Sequence, residues 1–179
     1  MKMSERIYVR LFTRADAAKR LELQIKNRAF FERYAMTRDD SYYTLAAQED
    51  LLTYLEEEAQ HDRQYGFGIY KKENNELIGT ISLFQIVRGS VQGAFIGYFL
   101  DEAHNGQGYM TEAVQLIVAY GFHELKLHRI EAGVMPHNIG SIRVLEKVGF
   151  HKEGLARKSV RIKGKWEDHQ MLAIINPND

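Results

Sequence analysis

Between Gly97 and Ala113 the chain reads GYFLDEAHNGQGYMTEA. This is an apolar strand run, a short turn carrying Gly106 and Gly108, and the opening of an amphipathic helix. No other stretch constrains the fold as tightly. A strand that feeds directly into a helix leaves the first helical N–H groups without intrahelical acceptors. Those donors, aligned with the helix dipole, attract a phosphate. Glycine at 106 and 108 keeps side chains away where a diphosphate would approach the main chain. The same glycines also suit an ordinary tight turn. The stretch is not a Walker loop, because no Gly-Lys-Ser/Thr follows, and it lacks the G-x-G-x-x-G of a dinucleotide-binding unit.

Around it, apolar periodicity marks out one α/β domain over residues 1–179. Ile7 to Phe12 reads as a strand, and Thr13 or Asp16 caps a helix reaching Lys26. Residues 27–44 are aromatic and polar with no clean period. A second helix covers Ala46 to Gln60, with Leu51, Leu52 and Leu55 inward. Gly66–Tyr70, Leu77–Val87 and Val91–Leu100 are strands, the first two joined by a hairpin turn at Glu73–Glu76. Thr111–Glu124 is a helix and Arg129–Met135 a strand. Pro136-His137 breaks it before Asn138 caps the helix Ile139–Val148, with Gly149 just past its end. Strands Gly154–Ile162 and Trp166–Ile175 close the chain around Lys163-Gly164. The expected product is a mixed, mostly antiparallel sheet of about seven strands with about four helices.

Composition removes several classes of function. The chain has 24 Lys and Arg against 24 Asp and Glu, and a broad nucleic-acid face needs a basic excess, so no direct nucleic-acid partner is expected, although a local basic patch stays open. It has no cysteine, hence no disulfide framework, thiolate nucleophile or zinc–thiolate site, which suits a reducing cytoplasm. No metal spacing is evident; His137 and His128 do not make one. No apolar run is long enough to span a membrane, and Met1–Arg6 lacks a signal-peptide core.

The glycine-bearing loop gains specificity when read with the later MPHNIGSIRVLEKVGF run from Met135 to Phe150. Together they resemble the GCN5-related N-acetyltransferases (GNAT), with Asn105–Met110 in the place of the family's Q/R-x-x-G-x-G/A loop, and Asn138, Ser141, Gly149 and Phe150 matching its N-x-x-S…G-F element. Within that family the chain is most similar to the bacterial ribosomal-protein N-terminal alanine acetyltransferases, notably those that modify small-subunit protein S5. The similarity is carried by Val87–Ser90, Gly106–Ala113, His128–Ile130 with Met135–Asn138, and Gly149–Gly154 followed by Gly164–His169.

The resemblance implies acetyl-CoA as donor and direct transfer to a primary amine in a ternary complex. Main-chain amides of Gly106, Gln107, Gly108, Tyr109, Met110 and Thr111 would hold the CoA diphosphate. Tyr98, Phe99 and Leu100 would meet the pantetheine arm through their main chains, and the Leu100 N–H would polarise the thioester carbonyl. Asn138 would bond the pantetheine, cap its helix, or both. Several positions depart from the family pattern. Asn105 replaces Gln or Arg, Met110 replaces Gly or Ala, and Leu145 stands where many members carry the Tyr that protonates the leaving thiolate. Ser141, one helical turn earlier, is the substitute acid or a plain first-turn polar residue. Phe95 stands where related enzymes place a glutamate base; Glu153 and Asp168 are the alternatives, ahead of His104 and His128.

A site without an obvious base suits an α-amine. With a pKa of about 8, an α-amine is roughly a tenth neutral at pH 7, whereas a lysine near 10.4 is neutral well under about 0.1% of the time. The resemblance therefore points to a protein N-terminus, in particular an alanine of a ribosomal protein. A small amine is the alternative, with the Phe30–Tyr43 stretch closing a smaller pocket; a CoA-binding sensor or ribosome-assembly factor is another. Trp166 and Tyr65 either line the acceptor groove or sit in the core. The acidic second helix (Glu49, Asp50, Glu56, Glu57, Glu58, with Asp62 beyond it) is a solvated face or a seat for a basic peptide. Both a monomer and a homodimer are compatible with the sequence.

Overall fold

Strand alternation sorts the apolar residues of the sheet onto two faces. In the computed structural model, which describes all 179 residues, the strands are β1 (Lys2–Met3), β2 (Ile7–Leu11), β3 (Tyr65–Lys71), β4 (Leu77–Val87), β5 (Gly93–Leu100), β6 (Arg129–Val134), β7 (His151–Ile162) and β8 (Lys165–Ile175). The helices are α1 (Ala17–Lys26), α2 (Arg28–Phe31), α3 (Leu45–Gln60), α4 (Tyr109–His123) and α5 (Ile139–Val148). Phe67 and Ile69 of β3 join the larger core with Ala113, Val114 and Ile117 of α4 and Leu145 of α5. Tyr70, of opposite parity, joins a smaller core with Leu23 of α1 and Leu52 and Leu55 of α3. Both faces of β3 are therefore covered, which is why it reads as an unbroken buried run.

The strands form one sheet in the order β1-β2-β3-β4-β5-β6-β8-β7, antiparallel except between β5 and β6. The eighth strand beyond the expected seven is the two-residue β1, which pairs Lys2 with Val9. The fifth helix is the four-residue α2, inside the stretch without a clean period. Boundaries moved where backbone conformation decided them. Gln92 has a positive φ of 47°, so β5 starts at Gly93 rather than Val91. Gly108, at φ 86°, caps α4, which therefore starts at Tyr109 rather than Thr111. Lys163 and Gly164 both have positive φ, the conformation that a tight hairpin between twisted strands requires.

Gly79 holds β4 close to β5, since a Cβ there would sit 2.6 Å from the Phe99 carbonyl oxygen. Gly79→Ala should force the strands apart, lower stability by about 1–3 kcal/mol, and cost activity beyond the stability loss, because β5 carries the site. Thermal denaturation and turnover on the same preparation check this.

Candidate acetyl-CoA site

Pairing of β5 with β6 covers only Gly93–Phe95 against Arg129–Glu131. Beyond these residues no ladder joins the two strands, and a cavity of about 720 Å³ is lined by Ile96–Leu100 on one side and Ala132–Met135 on the other. Main-chain groups alternate sides along a strand. The Asp101 N–H donates to the Ile78 carbonyl at 2.8 Å, and Phe99 faces Thr80 on the same ladder. Tyr98 and Leu100 therefore turn their N–H and C=O groups away from β4, toward the gap. This corrects the expectation for Phe99. Its main chain belongs to the β4 ladder, and its ring packs on Phe31 with centroids 5.0 Å apart.

At the end of β5 lies the loop. The N–H groups of Gly106, Gln107, Gly108, Tyr109, Met110 and Thr111 donate to no acceptor within the protein, and Gly108 supplies no side-chain cap. Gly106 has φ 75°, and a Cβ there would meet nothing, so the space beside it is open. Arg6 brings positive charge to this loop; its guanidinium stacks 4.3 Å over Tyr109 and bonds Glu112 at 2.6 Å. Ser4 also donates to Glu112, at 2.7 Å. Burial pushes the Glu112 carboxyl up, but the bonds from Ser4 and Arg6 outweigh it and hold the group below its ordinary value. Asn105, Gly106, Gly108, Tyr109, Met110 and Thr111 line the cavity; Gln107 contributes its amide while its side chain donates to the Ala103 carbonyl at 3.2 Å.

Across the cavity, Asn138 accepts from the Ser141 N–H at 3.3 Å, so the N-cap role is realised and its amide nitrogen stays available. The Ser141 hydroxyl lies 2.8 Å from the Tyr98 hydroxyl. Burial pushes the Tyr98 phenol up to about 12. Sequence reasoning used only the main chain of Tyr98; strand parity relative to Phe99 is the signal that places its side chain toward α5. Leu145 is fully buried in the core.

The expected bases lie elsewhere. Glu153, exposed on β7, bonds Arg129 and His151, and these hydrogen bonds pull its carboxyl down to about 2. It does not line the cavity and is a poor proton acceptor, which corrects that assignment. Asp168 accepts the Lys158 N–H, His104 bonds Asp101, and His128 bonds Asp179. No carboxylate lines the cavity; its imidazoles are His137 and His169, and His169 is buried with Nδ1 unpartnered. Sequence reasoning weighed His137 only for metal spacing and gave His169 no role. Phe30 and Tyr34 of the aromatic stretch line the cavity. Tyr65 packs against the larger core beside Tyr120 while its hydroxyl donates to Asp62 at 2.8 Å, and Trp166, 55% exposed, lies in neither groove nor core. On the acidic second helix, Glu49 and Glu58 are paired with Arg14 and Arg63. Glu76, Asp101 and His104 bring ligand-type atoms within 4.8 Å of one another, but the Lys26 ammonium already sits 2.9 Å from Asp101. No helix is long and apolar enough to cross a membrane.

An open-ended cavity between two parting strands, closed at one end by unpartnered main-chain amides, offers the donors that an acyl-carrier site of the GNAT kind requires. Over residues 6–151 the chain matches the family described as Acetyltransferase (GNAT) domain. It is similar to the probable N-acetyltransferase YjcK of Bacillus subtilis (strain 168), 62% identical over 97% of this chain and 96% of that protein. Among solved structures it is similar to the ribosomal-protein-S5-alanine acetyltransferase of Vibrio fischeri, with TM-score 0.94 and 32% identity over 99% of this chain and 98% of that one. It is also similar to Mycobacterium smegmatis RimJ in complex with CoA-disulfide, with TM-score 0.91 and 29% identity over 96% of this chain and 83% of that one. The chain belongs to the GNAT family and is an N-acetyltransferase that uses acetyl-CoA.

Gly106→Val tests the loop. Strain at φ 75° should cost about 1–3 kcal/mol of stability, whereas CoA affinity should fall at least about 100-fold by calorimetry, because the side chain enters the space beside the amides. Glu112 gives a pH signature. Its lowered pKa contributes stability that is present above the ordinary carboxyl pKa and is lost as pH falls through the folded value. The melting-temperature gap between wild type and Glu112→Gln should therefore shrink as the solution is acidified below about pH 4.

Proposed function

We propose that the acceptor is the N-terminal α-amine of a protein, with alanine on a ribosomal protein the leading case. One observation carries this reading: no carboxylate lines the cavity. A lysine acceptor needs a strong base to shed its proton, whereas an α-amine of pKa about 8 already supplies a neutral fraction near neutral pH. The relative that acts on S5 alanine supports the same choice. Zero cysteines suit a cytoplasmic setting. Phe30 and Tyr34 on the wall favour a second reading, a small amine held in a narrower pocket.

When bound, acetyl-CoA supplies an activated thioester carbonyl. The amides of residues 106–111 hold its diphosphate, and Tyr98 and Leu100 align its pantetheine through their main chains, as an added strand would be aligned. The Leu100 N–H is the donor for the carbonyl oxygen, a role worth about 3 kcal/mol in the transition state. The Tyr98–Ser141 hydroxyl pair holds a proton for the departing sulfur; burial keeps the phenol protonated at neutral pH but also makes it a weak acid, so the proton moves only as negative charge develops on the sulfur. The neutral acceptor amine attacks the thioester carbon, the C–S bond breaks as the carbonyl re-forms, and the proton shed by the nitrogen passes to solvent.

The test is thiol release with peptides beginning Ala, Ser and Met, set against polyamines and free lysine. Turnover of the alanine peptide should rise with pH, following a single ionisation near that of its own amine at about 8. Preference for a polyamine overturns the acceptor assignment. Ser141→Ala and Tyr98→Phe should each lower kcat by about tenfold or more with little change in CoA affinity; unchanged kcat in both removes the hydroxyl pair from the reaction.

A further inference from the structure

Several cations of this chain are neutralised by a neighbour. Arg6, Arg10, Arg28, Arg63, Arg88 and Arg129 each pair with a carboxylate. The β7–β8 ribbon concentrates cations that mostly lack such a partner. Between Gly154 and Trp166 it carries Arg157, Lys158, Arg161, Lys163 and Lys165 and no Asp or Glu. All five are exposed, and only Lys165 has an acidic partner, Glu167 at 3.9 Å. Asp168, the other nearby acid, is committed to the main chain, where it accepts the Lys158 N–H at 2.8 Å. That bond supports a bulge in which Arg157–Ser159 oppose Asp168 alone, with Lys158 at φ 47°. Trp166 lies opposite Arg161 and adds a half-exposed apolar plate.

This basic strip is continuous with the cavity. His169 of β8 lines the cavity and pairs in register with Ala156, and the basic bulge begins at the next residue, Arg157. A strand advances about 3.3 Å per residue, so the strip from Arg157 to the Lys163 turn lies within about 20 Å of the cavity wall. An extended polypeptide with its terminal amine in the cavity advances at the same rate. The residues about three to six positions behind that amine would then cross the strip.

We propose that the β7–β8 ribbon is a docking strip for the acceptor, selecting polypeptides that carry Asp or Glu in that window. The proposal rests on the N-terminal reading above and adds a specificity to it. Unpaired cations at the rim of a site draw an acidic partner by long-range attraction and hold it in register. RNA matches the charge, but its exocyclic amino groups are delocalised into the bases and are far weaker nucleophiles than an α-amine.

The experiment uses the full chain and thiol release. Alanine-initiated peptides carry Glu, Gln or Lys in the window, and Ala-Gly-Gly amide serves as an acceptor too short to reach the strip. The acidic peptide should show a KM at least about tenfold below that of the Gln peptide, with the Lys peptide weaker still, and the advantage should shrink from about 50 to 300 mM salt. Arg157→Glu/Lys158→Glu and Arg161→Glu/Lys163→Glu should each remove the advantage and leave kcat and KM for Ala-Gly-Gly amide within about twofold of wild type, which also verifies folding. Equal KM values for the Glu and Gln peptides overturn the strip while leaving N-terminal acetylation standing. Failure to acetylate any peptide, with polyamine turnover intact, overturns the N-terminal reading and the strip together. Tight binding of a short RNA with no Glu–Gln difference overturns the strip in favour of a nucleic-acid partner.

Discussion

The parting of β5 from β6 is the constraint from which the rest of the site follows. The two strands are held together for three residues, Gly93–Phe95 against Arg129–Glu131, and are then committed elsewhere. β4 retains β5 as far as Leu100, and β8 retains β6 as far as Val134. The inner edges are left with main-chain groups that have no strand to pair with, at Tyr98 and Leu100 among others. A main-chain amide removed from water without a partner costs on the order of 1–3 kcal/mol. An extended arm with its own amides recovers that cost, so the gap is pre-organised for a carrier of pantetheine type. The same direction of β5 delivers the chain to the loop at Gly106, where six helix-terminal amides are free for phosphate.

Charge is distributed to match. The chain is neutral overall, yet its wall chemistry is uneven. Carboxylates are drawn off into pairs away from the cavity, as Glu112 with Arg6, Asp62 with Arg88, and Glu153 with Arg129. The cavity keeps hydroxyls, imidazoles and the basic side chains of Arg143 and Lys147, and the adjoining ribbon keeps unpaired cations. An amine that loses its proton readily is the acceptor such a wall can serve without a strong base.

Much of this was legible in the sequence. The strand–glycine–helix order around Gly106 and Gly108 placed the amide cradle, because backbone conformation there depends on local residues. The Asn138 cap and the Lys163-Gly164 turn were legible for the same reason. The added β1 and α2 were too short for periodicity to register. What stayed hidden depends on register between distant segments. The Tyr98–Ser141 contact joins residues 43 apart. The side of β5 on which the Phe99 main chain falls is settled by its partner on β4, and the fate of Glu153 by Arg129 of β6. His169 sits in a polar-looking strand segment, yet it is buried and lines the cavity. Parity along β5 was available as a signal and would have separated Tyr98 from Phe99.

The most direct test of the central claim is an amide-resolved NMR titration of the full chain with desulfo-CoA. Resonances of Gly106–Thr111, together with those of Tyr98 and Leu100, are predicted to shift and to gain protection from hydrogen exchange, while Phe99, already bonded to β4, keeps its existing protection. Saturable binding that leaves these eight amides unperturbed would contradict the account.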